Sequence, residues 1–428
     1  MRVWRRWPDG GTKVLLTSTG LATGAGPLAG RRESAKHRKM TLKVSFEPAD
    51  TGARGKASGK ASMSKNPVRI GVDIEQSSLV GAQVKTGRQG HTLSAVAVKA
   101  LPDGLVYEGE VVDVEGLAAE LKTFWKSAGF SGKKFSIGVA NQKIVVRTME
   151  FPEIDPKELR AAIEFQAQEA IPIPLDEAIL DFQVLSTSPA SDGGNKQKVL
   201  IVAAQRDMIE QYVAVANKAG LGADGIDLQA FALMRAVAPP VAFVDQGAPQ
   251  ADGASALINI GAGITNLVVA SGGSPQFTRV VSLGCEAIVQ ALMANRGISH
   301  QEADLLRLTV GLSGSAGAAS DLEPATVAEI RETCDGTCEG FADEIRRSID
   351  YYHSLEYETP ISSILVTGEG ALTRNMGDYL ANALHLPVSL GNPLQYIAEN
   401  KSKLPQSELE LIAPRLAIAL GLAIDEEE

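Results

Sequence analysis

A strand-turn-strand-turn-strand pattern that occurs twice constrains the fold of this chain more than any other feature. In the first copy the segments are 68–73, 79–84 and a third strand reaching 98, with Gln76-Ser77-Ser78 and Gly87-Arg88-Gln89-Gly90 as the turns. The second copy runs over 257–260, 266–270 and 276–281, with Ser271-Gly272-Gly273 as its second turn. Asp73 and Asn259 close the first strand of each copy, 186 residues apart. Such a pair predicts a duplicated α/β protein of two lobes with a cleft between them. Glycine and serine are what hairpins require for steric reasons alone. Repeated across a cleft, however, two such turns place backbone N–H groups and hydroxyls where phosphate oxygens can sit.

Charge separates the front of the chain from its body. Residues 1–62 carry thirteen basic and four acidic side chains, whereas 63–428 carry 28 basic and 47 acidic ones. An acidic body argues against a nucleic-acid surface. The basic front, rich in Gly, Ser and Thr, is expected to be disordered, with the organised part starting near Met63, itself a candidate start. "VLLTSTGLATGAGPLAG" is too interrupted for a signal sequence. No run is long and apolar enough to span a membrane. Cys285, Cys334 and Cys338 form no framework and fit a reducing compartment; Cys334 and Cys338 lack the histidine a metal site would add.

Three further segments bear on function. "ISSILVTGEGAL" (361–372) reads as a strand breaking at Thr367-Gly368-Glu369-Gly370 before a helix, a unit that lets backbone approach a ligand. Upstream, Glu344, Arg347 and Ser348 lie on a helix whose apolar stripe is Ile345 and Ile349. Between the two copies, Asp155, Pro156 and Glu158 mark a helix start, and Pro172 and Pro174 stop it near Ile171. A strand at 180–185, a polar loop "STSPASDGGNKQK", a strand at 199–204 and a helix from Arg206 then make a small α+β unit inserted into the first lobe.

These motifs, with the terminal helix "LAIALGLAI", resemble the actin and sugar-kinase superfamily. "FPEIDPKELRAAIEFQAQEAIPIPLDEAILDFQVL", "EIRRSIDYYHSLE" and "VTGEGALTRNMGDYLANALHLPVSLGNPL" narrow the resemblance to the PilM family of type IV pilus assembly proteins, over about 67–424. The resemblance implies an actin-like two-lobed (duplicated ribonuclease-H-like) fold with an FtsA-like inserted subdomain 1C. Subdomain 1A would begin at 63–149, with 1C at 150–222 and a connecting helix and return to lobe 1 at 223–250. Subdomain 2A would take 251–294 and 343–410, with 2B at 295–342 and the second connecting helix and acidic tail at 411–428.

The resemblance also implies ATP or ADP with Mg²⁺ in the cleft. The first phosphate loop keeps Asp73, Ser77 and Ser78, with Asp73 acting on Mg²⁺ through a bound water; the family's glycine and lysine are replaced by Glu75 and Val80. The second loop keeps Gly261, Gly263, Thr265 and Asn266, and has Asn259 where the family has aspartate. Asparagine keeps an acceptor but is no base, so the cleft is expected to bind nucleotide with weak or absent hydrolysis and no catalytic residue. Glu344, Arg347, Ser348, Gly368 and Gly370 complete the implied nucleotide site. A partner groove would involve Arg147, Phe165, Glu169 and Ile171 and hold the cytoplasmic N-terminal tail of PilN. Other implied partners are the pilus platform and its motor ATPases, with association to the inner face of the cell membrane through them, and ring formation or self-association. The alternatives are an active ATPase or small-molecule kinase, for which Asn259 sits where the base should be, and a division-type membrane tether, against which the acidic end "DEEE" argues.

Overall fold

A computed structural model describes residues 13–16, 44–47, 68–87, 90–189, 194–238, 253–315, 317–318, 320–355 and 359–424 of the 428-residue chain. Each repeated pattern forms an antiparallel meander inside a larger mixed sheet. The first sheet has six strands in the order Gly222–Leu228, Lys134–Val139, Val68–Ile74, Ser78–Gly87, Gly90–Ala100 and Ile397–Asn400. The second has five: Ser274–Val281, Thr265–Ser271, Ala254–Ile260, Ile361–Thr367 and Val388–Leu390. In both sheets the first meander strand also pairs in parallel with a strand from later in the chain, Lys134–Val139 in one and Ile361–Thr367 in the other. The runs Val72–Asp73–Ile74 and Ile258–Asn259–Ile260 are buried on both faces, the polar Asp73 and Asn259 included, because the sheet is covered on both sides.

Two short helices join the lobes. Gln229–Val237 is buried at every residue and carries the first sheet's core into the second, where Leu257 and Val268 join the same cluster. Ala417–Ala423 lies across it and against Val68–Ile74. The approach is close enough to require glycine: a Cβ on Gly421 would lie 1.8 Å from the Ala232 carbonyl oxygen, and one on Gly71 2.1 Å from that of Ala419. Arg235 secures the crossing by donating from Nε to the Gly421 carbonyl at 2.7 Å and pairing with the buried Asp227 carboxylate.

The inserted unit is a three-stranded antiparallel sheet, Ala178–Pro189, Asn195–Gln205 and Val145–Pro152, covered by the helix Pro156–Ala170. It has its own core around Phe151, Leu159, Ile163 and Ile201. The polar stretch expected to be a loop is largely strand, because Ser186–Pro189 pairs with Asn195–Lys198 in an exposed hairpin whose backbone bonds need no apolar side chains.

Three other expectations change. The boundary placed between 342 and 343 falls inside one 30-residue helix, Pro324–His353, whose apolar stripe of Ile330, Cys334, Cys338, Phe341, Ile345 and Ile349 continues without a break. Ile397–Asn400, expected in the second lobe, pairs with His91–Leu93 at the edge of the first sheet. Within the basic extension, Lys13–Leu16 and Val44–Glu47 pair as antiparallel strands, two short β-prone runs that an average over 62 residues conceals. The rest of 1–67, with Met63, and the acidic 425–428 lie outside the described residues.

Gly421→Ala should destabilise the chain by about 1–3 kcal/mol, since the methyl group must push two buried helices apart. Urea unfolding of both proteins measures it, and an unchanged midpoint would show that the crossing tolerates a side chain.

Candidate functional site

The two meander turns meet at the centre of the molecule. Asp73, at the end of its strand, is buried, and its Oδ1 accepts from the Gln229 side-chain amide at 2.8 Å. Gln229 Oε1 in turn accepts from Asn266 Nδ2, also at 2.8 Å. Gln229 is the first residue of the connecting helix Gln229–Val237, so a continuous buried relay runs from the first lobe through the connector to the second. Room for it comes from Gly138, where a Cβ would touch Gln229 Cγ at 3.0 Å. Asn259 is 2% exposed, and its Oδ1 accepts from the Thr367 hydroxyl at 3.0 Å.

Glu75 crosses the cleft. Its carboxylate accepts from the backbone N–H of Ala262, in the second turn, at 3.3 Å. Beside it Gln76 covers Gly263, and Glu108 Oε2 accepts from the Ser282 hydroxyl at 3.1 Å. Burial, and then the Glu75 charge, push the Asp73 carboxyl well above the usual carboxylate range against the opposing Gln229 bond. Burial pushes Glu75 up to about 7, opposed by the Ala262 N–H and raised further by Glu369. Glu369 is itself flanked by Arg415 at 3.4 Å and Arg307 at 3.9 Å.

The expected nucleotide residues divide into two groups. Asp73, Ser77, Ser78, Asn259, Gly261, Gly263, Thr265 and Asn266 gather on the two turns and the strands beside them. Gly368 and Gly370 lie directly beneath, packed on Ile260: a Cβ on either would come within 2.3 Å of that residue's oxygen or side chain. Glu344, Arg347 and Ser348 sit on the long helix, where Glu344 pairs with Arg347 and, at 3.5 Å, with Arg279 of Ser274–Val281. Ser348 is fully buried and its hydroxyl is bonded to the Glu344 carbonyl, so it presents no free donor. Gln229, Glu108 and Ser282 were not anticipated. The one signal for Gln229 was a lone amide opening the apolar run "LQAFALMRAV".

For ATP and Mg²⁺ the fit is divided. Ser78 Oγ and Asn266 Oδ1 are buried with no hydrogen-bond partner among the described residues, which suits a ligand or ordered water. Yet the Ala262 N–H is taken by Glu75, Val80 lies in a buried apolar cluster and offers no charge, and Arg415 and Arg307 face Glu369. The arrangement with Glu75 across the cleft therefore does not fit a nucleotide phosphate.

On the inserted unit, Arg147 stands exposed on the strand Val145–Pro152, on the same face as Met149 and Phe151. Phe165 is 71% exposed and Glu169 is exposed on the helix Pro156–Ala170. Ile171, expected at the groove, belongs to the core instead, at 6% exposure beside Ile163 and Ala167. Its position just past the helix, where the chain turns under the sheet at Pro172, puts it inside. Among the described residues no helix is long and apolar enough to cross a membrane.

Two meander-bearing lobes, joined by crossed helices over a buried polar cleft, define an actin-like protein. The family model for the type IV pilus assembly protein PilM matches residues 71–427, so the chain belongs to that family. Among solved structures, a "PilM-PilN type IV pilus biogenesis complex" superposes with a TM-score of 0.68 at 24% identity, covering 83% of this chain and 97% of that one. The ethanolamine utilization protein EutJ from Carboxydothermus hydrogenoformans gives 0.48 at 16% identity, over 83% of this chain and 89% of that one. MreB5 of Spiroplasma citri bound to ADP gives 0.44 at 12%, over 83% and 94%.

Gln229→Leu removes the side-chain partner of a buried carboxyl and of a buried amide and should cost about 2–6 kcal/mol, at roughly 1–3 kcal/mol for each group. Chemical denaturation reads this directly, and a loss below about 1 kcal/mol would deny the relay its role. Glu75, facing Glu369, Arg415 and Asp73, also gives a pH test. Its folded pKa, about 7, lies above the ordinary 4.5, so its contribution is fully present below 4.5 and lost as pH rises through 7. Melting temperatures of wild type and Glu75→Gln should thus converge near pH 4.5 and separate in favour of the variant by pH 8; parallel curves would refute this.

Proposed function

We propose that this chain is a cytoplasmic scaffold of the type IV pilus inner-membrane platform that holds a short peptide tail of a PilN-like partner on its inserted unit. The observation that carries the assignment of the groove is Phe165. Its ring projects from a helix whose other face, Leu159, Ile163 and Ala167, is fully committed to the unit's core. A large exposed aromatic on a rigid helix is the kind of residue that anchors a partner in a pocket. Arg147 and Glu169 supply polar contacts at its margins, while Ile171 supports the unit from inside. The family membership and the likeness to a PilM-PilN complex support the same partner.

Nucleotide binding in the cleft belongs to the same proposal, in a conformation where Glu75 has left Ala262. Hydrolysis is weak or absent in this reading, because Asn259 cannot take a proton from an attacking water. Asp73, at the matching position of the first loop, is tied to Gln229. Motor ATPases, ring formation and the membrane face are proposed as consequences of holding that tail.

Phe165→Ala should weaken binding of a PilN-tail fusion by about 30-fold, the effect of a hot spot worth ~2 kcal/mol, with little change in stability. Ile171→Ala should instead lower stability by about 2–5 kcal/mol. Fluorescence anisotropy with a labelled tail, beside thermal melts, separates the two. Equal tail affinity for Phe165→Ala and wild type would remove this helix from the groove.

A further inference from the structure

The family's first phosphate loop has glycine where this chain has Glu75, a difference that on sequence alone sets a carboxylate beside phosphate, where like charges repel. In the structure that side chain has turned out of its own loop and into the opposite one. It is 7% exposed. A Cβ built on Gly261 would lie 2.5 Å from Glu75 Oε2 and 2.7 Å from Oε1, so both oxygens rest on the glycine backbone of the second loop. The Ala262 N–H points at Oε2 from 3.3 Å.

Backbone N–H groups of a glycine-rich turn can form a concavity that receives anionic oxygens. Here the turn 261–263 leads into the strand Thr265–Ser271 and lies against the start of the helix Glu286–Arg296, with Cys285 N donating to the Gly261 carbonyl and Glu286 N to the Ala262 carbonyl, both at 3.0 Å. Glu75 offers that turn two carboxyl oxygens on a short tether. The neighbouring first-lobe side chains follow the same course, Gln76 onto Gly263 and Glu108 onto Ser282. Thus three side chains of one lobe cover the turn 261–263 and the adjoining Ser282 of the other.

We propose that Glu75 is a tethered substitute for a nucleotide phosphate: it occupies the second loop, closes the lobes without nucleotide, and must be displaced before a nucleoside polyphosphate can bind. The competition rests on the reading of this cleft as a nucleotide site; the contact itself does not. A group fixed on the same chain competes at an effective concentration of millimolar or more, so its removal should tighten ligand binding by at least about tenfold. Glu75→Gly restores the family's residue, and Glu75→Ala controls for added backbone freedom.

The test measures two quantities on the full chain. Titration calorimetry with ATP and Mg²⁺ compares wild type with both variants, and hydrogen exchange follows the Ala262 amide in their nucleotide-free forms. Binding at least tenfold tighter, with Ala262 exchange at least tenfold faster, supports the proposal. Unchanged Ala262 exchange overturns it. Equal, measurable affinities for all three proteins also overturn it and leave the nucleotide reading in place. Faster exchange with no binding at millimolar ATP by any of them overturns the competition together with the nucleotide reading, since the exchange result shows that the loop was freed.

Discussion

The buried relay from Asp73 through Gln229 to Asn266 is the interaction on which the rest of the arrangement depends. Each lobe alone would leave a polar side chain stranded among Ile74, Ile260 and the apolar connector, at a cost of kilocalories. The amide of Gln229 satisfies one lobe with its donor and the other with its acceptor. Because that amide opens the connecting helix, the relay also fixes the rotation of the helix, and with it which residues face Ala417–Ala423. The close approach of Gly421 to the Ala232 carbonyl is tolerable only at that rotation.

Around this relay the cleft is acidic and closed. Asp73, Glu75 and Glu369 share it, and the two cations near them, Arg415 and Arg307, approach Glu369. An aspartate at 259 would add another buried carboxylate; asparagine keeps the Thr367 bond without the charge. Asparagine thus spares the site a further buried charge. A scaffold that keeps its lobes together by internal contacts has less need of a bound ligand to hold its shape, which agrees with the partner-holding reading of the inserted unit.

Much of this was legible in the sequence, because it followed from periodicity and spacing. The two meanders, with Asp73 and Asn259 at matching positions, fixed the duplicated architecture, and Asp155-Pro156 with Pro172 fixed the inserted helix to within a residue or two. What escaped depends on tertiary placement. No spacing rule says that Glu75 reaches the opposite loop or that Ile397–Asn400 returns to the first sheet. Nor does local pattern tell an exposed Phe165 from a buried Ile171, six residues apart on and just past one helix; the sheet beneath decides that. The hairpin tip at 186–198 was misread because strand pairing there needs backbone rather than apolar side chains.

The uninterrupted helix Pro324–His353 carries a mechanical consequence. At 30 residues it is a rod of about 45 Å, from the rise of an α-helix. Its start lies beside the outer helices, where Arg296 meets Glu329, and its end lies against Ser274–Val281, where Phe277 stacks near Tyr351 and Tyr352. Ser274–Val281 pairs directly with the strand that holds Asn266. A pull or push on the outer part of the second lobe therefore arrives at the cleft as a lever movement rather than being absorbed in a flexible joint, so an assembly that strains this chain from outside would be felt at the contact between its lobes.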